Sequence, residues 1–268
     1  MSTANRSEPS VSPLVFWLFS RYNTWYLQRH FHAFRLYARE TMPEIPDDPP
    51  IFYLNHPGWW DPLICIQLIN QYGSSYTHFT PMDEEQLENF GFFRKIGVFG
   101  VDLNAPTAGR RFLRTCETVL NREKTALWIT PQGRFSDARE RPLDFRPGLG
   151  HLVSRLETGT LVPLGLTYSF WTDRYPEVLM GFGDPIRVEQ YPDRDRAEWT
   201  DLLETHLASI LDDVLEADRT RDEQAFNVIF GGSSGVGGVY GAWQRLLQLI
   251  TGTGPANNPG DQQSGGIS

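Results

Sequence analysis

Hydrophobic positions near the start of the chain recur every three to four residues, whereas further along they gather into short uninterrupted runs. Over residues 13–39 a helical period places Val15, Leu18, Phe19, Tyr22, Trp25, Tyr26, Ala33, Leu36 and Tyr37 on one side. Arg21, Thr24, Gln28, His32, Arg35 and Arg39 fall on the other, and Arg29 and His30 interrupt the stripe. An amphipathic helical segment over 13–42 is therefore expected. Aromatic rings opposite arginines suit a membrane interface, where rings tolerate headgroup depth and cations meet anionic lipid. They suit equally a helix packed on its own domain, and the periodicity leaves both readings open.

A proline-bounded linker over 43–50 follows. Beyond it, β-rich runs at 51–54, 76–80, 98–101, 126–130, 161–168 and 178–182 alternate with helical stretches at 60–71, 107–121 and 148–156. Such alternation predicts an α/β domain over 43–220, a mostly parallel central sheet flanked by helices. Its last element is a polar helix over 195–217 with one apolar stripe through Leu202, Leu203, Leu207, Ile210, Leu211 and Val214. Residues 221–251 read as a glycine-rich loop and a short helix, and 1–12 and 252–268 as disordered ends.

Composition narrows the class. With 268 residues, 40% of them hydrophobic, one sizeable core can be buried, and a formal net charge of −9 argues against nucleic acid as a partner. Cys65 and Cys116 stand far apart without metal-type spacing, so neither a disulfide scaffold nor a zinc site is expected. The opening residues lack the features of a secretory signal, and no apolar run approaches the ~18 residues of a membrane span. A reducing, cytoplasmic setting fits.

The segment NHPGWWD, residues 55–61, follows a buried run and precedes a helical one, the kind of loop where α/β sheets place their sites. On a continuous helix His56 and Asp61 would diverge by roughly 140°. Pro57 and Gly58 supply the turn that brings them together. A carboxylate on one imidazole nitrogen fixes the tautomer and leaves the other nitrogen free to take a proton from a hydroxyl. Taken alone, a His and an Asp at this spacing are most often ordinary loop polarity.

Three further segments follow in order: FRKIGVFGVD at 93–102, ITPQGRFS at 129–136 and LVPLGL at 161–166. Together with the first, they resemble the four blocks of the glycerolipid acyltransferase family, which includes the bacterial lysophosphatidate acyltransferases. RPLDFRPGLGHLV and GFGDPI also look typical of it, and the resemblance covers residues 51–186. It implies an O-acyltransferase on the cytoplasmic face of the membrane, peripheral or monotopic. A fatty acyl group would pass from acyl-CoA or acyl-carrier protein to a hydroxyl of a lysophospholipid, without a metal or redox cofactor.

By the same resemblance His56 would be the general base and Asp61 its orienter. Asn55, Gly58, Asp102, Gln132, Gly133, Arg134 and Pro163 are the expected substrate-binding positions, with amides near Gly58 and Gly133 as candidates for an oxyanion. The chain departs from the family pattern where arginines are thought to meet an acceptor phosphate. Leu103 stands at the first such position, and Gln132-Gly133-Arg134-Phe135 replaces Glu-Gly-Thr-Arg at the second. Arg134 would serve a phosphate with help from Lys95 or Arg111, or pair with Asp137 or Asp102. The alternatives are thus the same chemistry on a non-phosphate lipid, such as a glycosylated lipid or carotenoid, and a non-catalytic lipid-binding protein.

Overall fold

The computed structural model describes residues 8–39, 41–43, 49–73, 75–102 and 104–233. The expected glycine-rich stretch at 234–241, the short helix after it, the tail and most of the 43–50 linker lie outside these residues.

Helix α1 (Pro13–His30) leads into β1 (Ala33–Tyr37), β2 (Pro50–Leu54), α2 (Asp61–Tyr72), β3 (Thr77–Asp83) and α3 (Glu84–Asn89). After a 3-10 turn at Gly91–Lys95 come β4 (Val98–Val101), α4 (Ala108–Leu120), β5 (Thr125–Ile129) and α5 (Gly148–Val153). The chain continues through β6 (Thr160–Ser169), β7 (Glu177–Phe182), β8 (Ile186–Arg187), α6 (Arg196–Thr220) and β9 (Phe226–Gly231). The strands form one sheet in the order β4-β3-β5-β2-β6-β7-β1-β9, with β8 beside β6. β4, β3, β5, β2 and β6 are mutually parallel, whereas β7 runs antiparallel to β6. This is the mostly parallel α/β sheet that the alternating pattern predicts.

Strand β2 is buried at every residue because helices cover both faces, which is why PIFYL is apolar throughout. On one face Ile51, Tyr53, Leu127 and Ile129 pack with α4, α5 and the Leu203, Leu207 and Leu211 stripe of α6. On the other, Phe52, Leu54, Trp128, Leu164 and Leu166 pack with Ile64 and Leu68 of α2 and Leu27 of α1. α6 lies close to the sheet over Gly165, where an added Cβ would stand 3.0 Å from the Leu211 Cα. Asp195 and Glu198 close a capping box at the start of that helix.

The amphipathic segment differs from its sequence reading in two ways. The helix stops at His30 and residues 33–37 form a strand, because β1 finds hydrogen-bonding partners on both sides, β7 in parallel and β9 antiparallel. The apolar stripe of α1 is also split, with Val15, Phe19 and Tyr26 packed on the domain and Leu18, Tyr22 and Trp25 turned outward. Ser20, Asn23 and Leu27 are its buried residues; the Asn23 amide donates to the Leu63 carbonyl at 2.9 Å and the Thr24 hydroxyl to Gln67 at 2.9 Å. Leu14, Trp17, Leu18, Tyr22 and Trp25 are exposed, by 48–66%.

Residues 8–12, expected to be disordered, are tied down. Val11 bridges Ile96, Ser12 N–H donates to the Lys95 carbonyl at 2.7 Å, and Arg122 holds the Pro9 carbonyl at 2.6 Å. Residues 223–231, expected as loop, form a 3-10 turn and β9, which pairs with β1. Among the described residues no helix is long and apolar enough to cross a membrane.

Candidate active site

The turn between β2 and α2 brings His56 and Asp61 together at the carboxyl end of the parallel strands. His56 Nδ1 lies 2.5 Å from Asp61 Oδ2, and the same oxygen accepts the Gly58 N–H at 3.1 Å. The other carboxylate oxygen, Oδ1, accepts the Tyr168 hydroxyl from the end of β6. Asp61 is only 1% exposed. Burying a carboxylate is costly unless it is fully hydrogen-bonded, and these three donors meet that need. The Asp61 contact places the proton on Nδ1 and leaves the lone pair on Nε2, which has no hydrogen bond among the described residues.

The backbone of His56 is clamped at both polar atoms. Its N–H donates to Gln132 Oε1 at 3.0 Å, and its carbonyl accepts the Ser136 N–H at 3.0 Å. Gln132, 2% exposed, donates its own amide to the Leu143 carbonyl at 2.9 Å. Asn55 joins the loop to β6, its amide donating to the Leu166 carbonyl and its oxygen accepting the Leu166 N–H, both at 2.8 Å. Gln132 and Asn55, expected on substrate, thus spend their side-chain groups on the backbone that carries the dyad. Buried polar residues with matched backbone partners are more often braces than ligands.

The other expected positions divide in the same way. Gly58 contributes its amide to Asp61, and Gly133, at φ +61°, donates its N–H to the Thr130 carbonyl at 3.0 Å, so both candidate oxyanion amides are engaged within the protein. Arg134 pairs with Glu140 at 3.0 Å and Asp144 at 3.5 Å, instead of Asp137 or Asp102, and those carboxylates raise its pKa further. Asp102 directly follows β4, with β3 and β5 between that strand and β2, about 14 Å across the sheet, and caps the Asn104 N–H at 3.2 Å. Pro163 is buried inside β6 opposite Tyr53, below the loop, where its carbonyl accepts the Gly183 N–H at 3.0 Å. Neither residue stands with the dyad.

Two residues beside the dyad carry signals that the sequence reading did not use. The Phe135 ring, 57% exposed, lies 4.4 Å from the His56 ring at 49°, so an apolar surface stands where the family pattern has a cation. Tyr168 lies two residues beyond the buried Leu166, and the two-residue period of a strand turns it to the α2 side. Its phenol is raised well above the ordinary range, first by burial and then by the Asp61 charge. Cys65, buried on α2, is likewise raised, first by burial and then by Asp61, so it stands as a neutral thiol.

Trp60 packs edge-on against Phe31 at 4.9 Å and stacks on Tyr26 at 5.6 Å, joining the loop to α1, while Trp59 is 62% exposed. A cleft of about 470 Å³ between β1, β7 and α6, bordered by Arg39, Asp184 and His206, shares no residue with this site.

An α/β sheet with a buried carboxylate orienting a histidine at its carboxyl edge is a framework for general-base chemistry on a hydroxyl. The Acyltransferase family model matches residues 33–167, half of the chain, and the chain belongs to that family. Its fold resembles the 1-acyl-sn-glycerophosphate (LPA) acyltransferase PlsC from Thermotoga maritima. The two structures share a TM-score of 0.52 at 15% identity, over 76% of this chain and 79% of that one. Comparison with characterised proteins by sequence gave no match.

Proposed function

We propose that the protein transfers a fatty acyl group from a thioester donor, acyl-CoA or acyl-carrier protein, to the hydroxyl of a membrane lipid, with His56 as general base. The observation that carries this reading is the His56 Nδ1 contact to the buried Asp61 carboxylate, which leaves Nε2 as the free base. Nε2 takes the proton of the acceptor hydroxyl as its oxygen attacks the thioester carbonyl. The new C–O bond forms, the C–S bond breaks, and the imidazolium returns the proton to the departing thiolate. Asp61 keeps the ring oriented and stabilises the imidazolium between these steps. Water attack would give hydrolysis by the same base; the family supports transfer instead.

The exposed face of α1 supports a membrane-bound acceptor and a peripheral location, which this reading puts at the cytoplasmic face. Trp17, Tyr22 and Trp25 are exposed along α1 with Arg29 stacked over Trp25 at 4.3 Å, and Phe19 carries the aromatic surface to Phe92 of the adjoining 3-10 turn. Tyr26 and Trp60 link it to the catalytic loop. Rings of this kind lie well at headgroup depth.

The first acceptor in this reading is a lysophospholipid of the 1-acylglycerol-3-phosphate type. A second, a lipid with no phosphate beside the acylated hydroxyl, is favoured by the Phe135 ring on His56 and by the two carboxylates on Arg134. Purified protein, radiolabelled acyl-CoA and vesicles carrying either lysophosphatidate or a neutral hydroxylated lipid separate them. Label appears in the acceptor that is used; release of free fatty acid alone, with every acceptor unlabelled, refutes acyl transfer.

A further inference from the structure

The buried carboxylate of Asp61 has two oxygens with different duties. Oδ2 faces His56 and Gly58, and Oδ1 faces only the Tyr168 hydroxyl among the described residues. A carboxylate gripped on one oxygen alone can turn about its own bond and carry the imidazole with it. Gripping the second oxygen removes that freedom.

Tyr168 is well placed to do so. The two Asn55 bonds to Leu166 lock the end of β6 against the catalytic loop, and Tyr168 follows two residues later on the same face. Its ring rests against Phe31, 5.9 Å between centroids, and on Gly58, where an added Cβ would sit 3.7 Å from Tyr168 Cε2. The ring is therefore held on two sides and its hydroxyl arrives at Asp61 in one pose. The titratable groups that face this contact are His56 on the loop, Asp61 itself and Cys65 on α2.

We infer that Tyr168 is a positioning residue for the His56–Asp61 dyad, fixing the Asp61 carboxylate through Oδ1 and drawing off part of its negative charge. The inference rests on the reading of His56 as the base. Drawing charge away from Asp61 weakens its hold on the imidazolium, so that the proton returns more readily to the departing thiolate. Without the hydroxyl, Asp61 keeps its full charge and holds the imidazolium more tightly.

The test is Tyr168→Phe, which keeps the ring and removes only the hydroxyl, assayed with labelled acyl-CoA from pH 5 to 9. A lost hydrogen bond to a charged group predicts kcat lower by about tenfold to a hundredfold, with KM for acyl-CoA within about twofold. The acid limb of kcat should move up by about half a pH unit or more. Tyr168→Leu, which also removes the ring, and thermal melting of both variants report on packing.

Unchanged kcat and acid limb in Tyr168→Phe overturn the inference. A lower kcat with an unmoved acid limb and a lower melting temperature also overturns it, because it makes the residue a packing element. Raised KM with unchanged kcat does the same by assigning Tyr168 to donor binding. His56→Ala in the same assay keeps the two readings apart. Turnover retained in that variant sinks the general base and this inference with it, whereas loss of turnover there with an unaffected Tyr168→Phe sinks only the tyrosine.

Discussion

Gln132→Glu puts into this chain the residue that the family pattern carries at that position, and it should be destabilising here. Gln132 works in both directions, accepting from the His56 N–H at 3.0 Å and donating to the Leu143 carbonyl at 2.9 Å, in a place 2% exposed to solvent. A glutamate keeps the first bond, loses the second and sets a carboxylate oxygen against a carbonyl. The lost bond is worth about 1 kcal/mol, and leaving the buried carbonyl opposed adds about 1–2 kcal/mol, so the expected loss at pH 7 is about 2–3 kcal/mol. In a chain of this size that lowers Tm by about 5–10 °C. The neutral acid is favoured in the folded state, so its folded pKa lies above the ordinary ~4.3. The penalty is present above that folded value and is relieved as pH falls through it. Urea unfolding of both proteins at pH 7 and pH 5 should show a gap that narrows at the lower pH, closing only below the unfolded value. A variant as stable as the wild type at pH 7 refutes the assignment of Gln132 as a neutral two-way clamp.

Other consequences follow from the same geometry. His78 is 7% exposed, donates from Nε2 to the Gly73 carbonyl at 2.8 Å and accepts the Trp128 indole N–H at 2.9 Å; burial pushes its pKa down from 6.5 to about 4. The unfolded chain therefore takes up this proton first on acidification. Stability from His78 is complete above pH 6.5 and falls by about 3 kcal/mol as pH drops towards 4. Urea titrations over that range should be flatter for His78→Gln, and identical slopes contradict the assignment. Gly165→Ala drives a methyl into the backbone of α6, so its urea midpoint should report a loss of at least about 2 kcal/mol; an unchanged midpoint means α6 can lift away at no cost. Trp17→Ser with Trp25→Ser removes two exposed rings, and should weaken co-sedimentation with anionic vesicles by about tenfold while leaving Tm unchanged. Equal sedimentation assigns the aromatic face some other partner.

Much of the sheet was readable because its strands are covered on both sides and therefore apolar. The runs at 51–54 and 98–101 lie within β2 and β4 to within a residue, and the loop carrying His56 and Asp61 emerged from the strand, turn and helix around it. β1 was read as helix because Ala33, Leu36 and Tyr37 continue the helical stripe by chance. What makes it a strand is pairing with β7 and β9, more than a hundred residues away in sequence, where non-local partners override local preference. The same non-locality hid the orientation of α1: its apolar side was legible, but that Asn23 and Thr24 dock on α2 and leave the tryptophans outside was not.

At the site, residue type alone could not separate ligand from brace. Asn55 and Gln132 have the chemistry of substrate binders, yet their partners are the backbones of Leu166, His56 and Leu143. Tyr168 lies in the expected strand but two residues past the LVPLGL segment, and only the strand period combined with the Asn55 register brings it to Asp61.

The central claim is that His56, held by Asp61, removes the proton of the acceptor hydroxyl. Its most direct test is single-turnover transfer from labelled acyl-CoA to a lipid acceptor by the wild type and by His56→Ala, each first shown by its melting curve to be folded. The account predicts that the variant loses transfer by a factor of about 10³ or more, while vesicle binding stays at the wild-type level. Transfer within about tenfold of the wild type would contradict it.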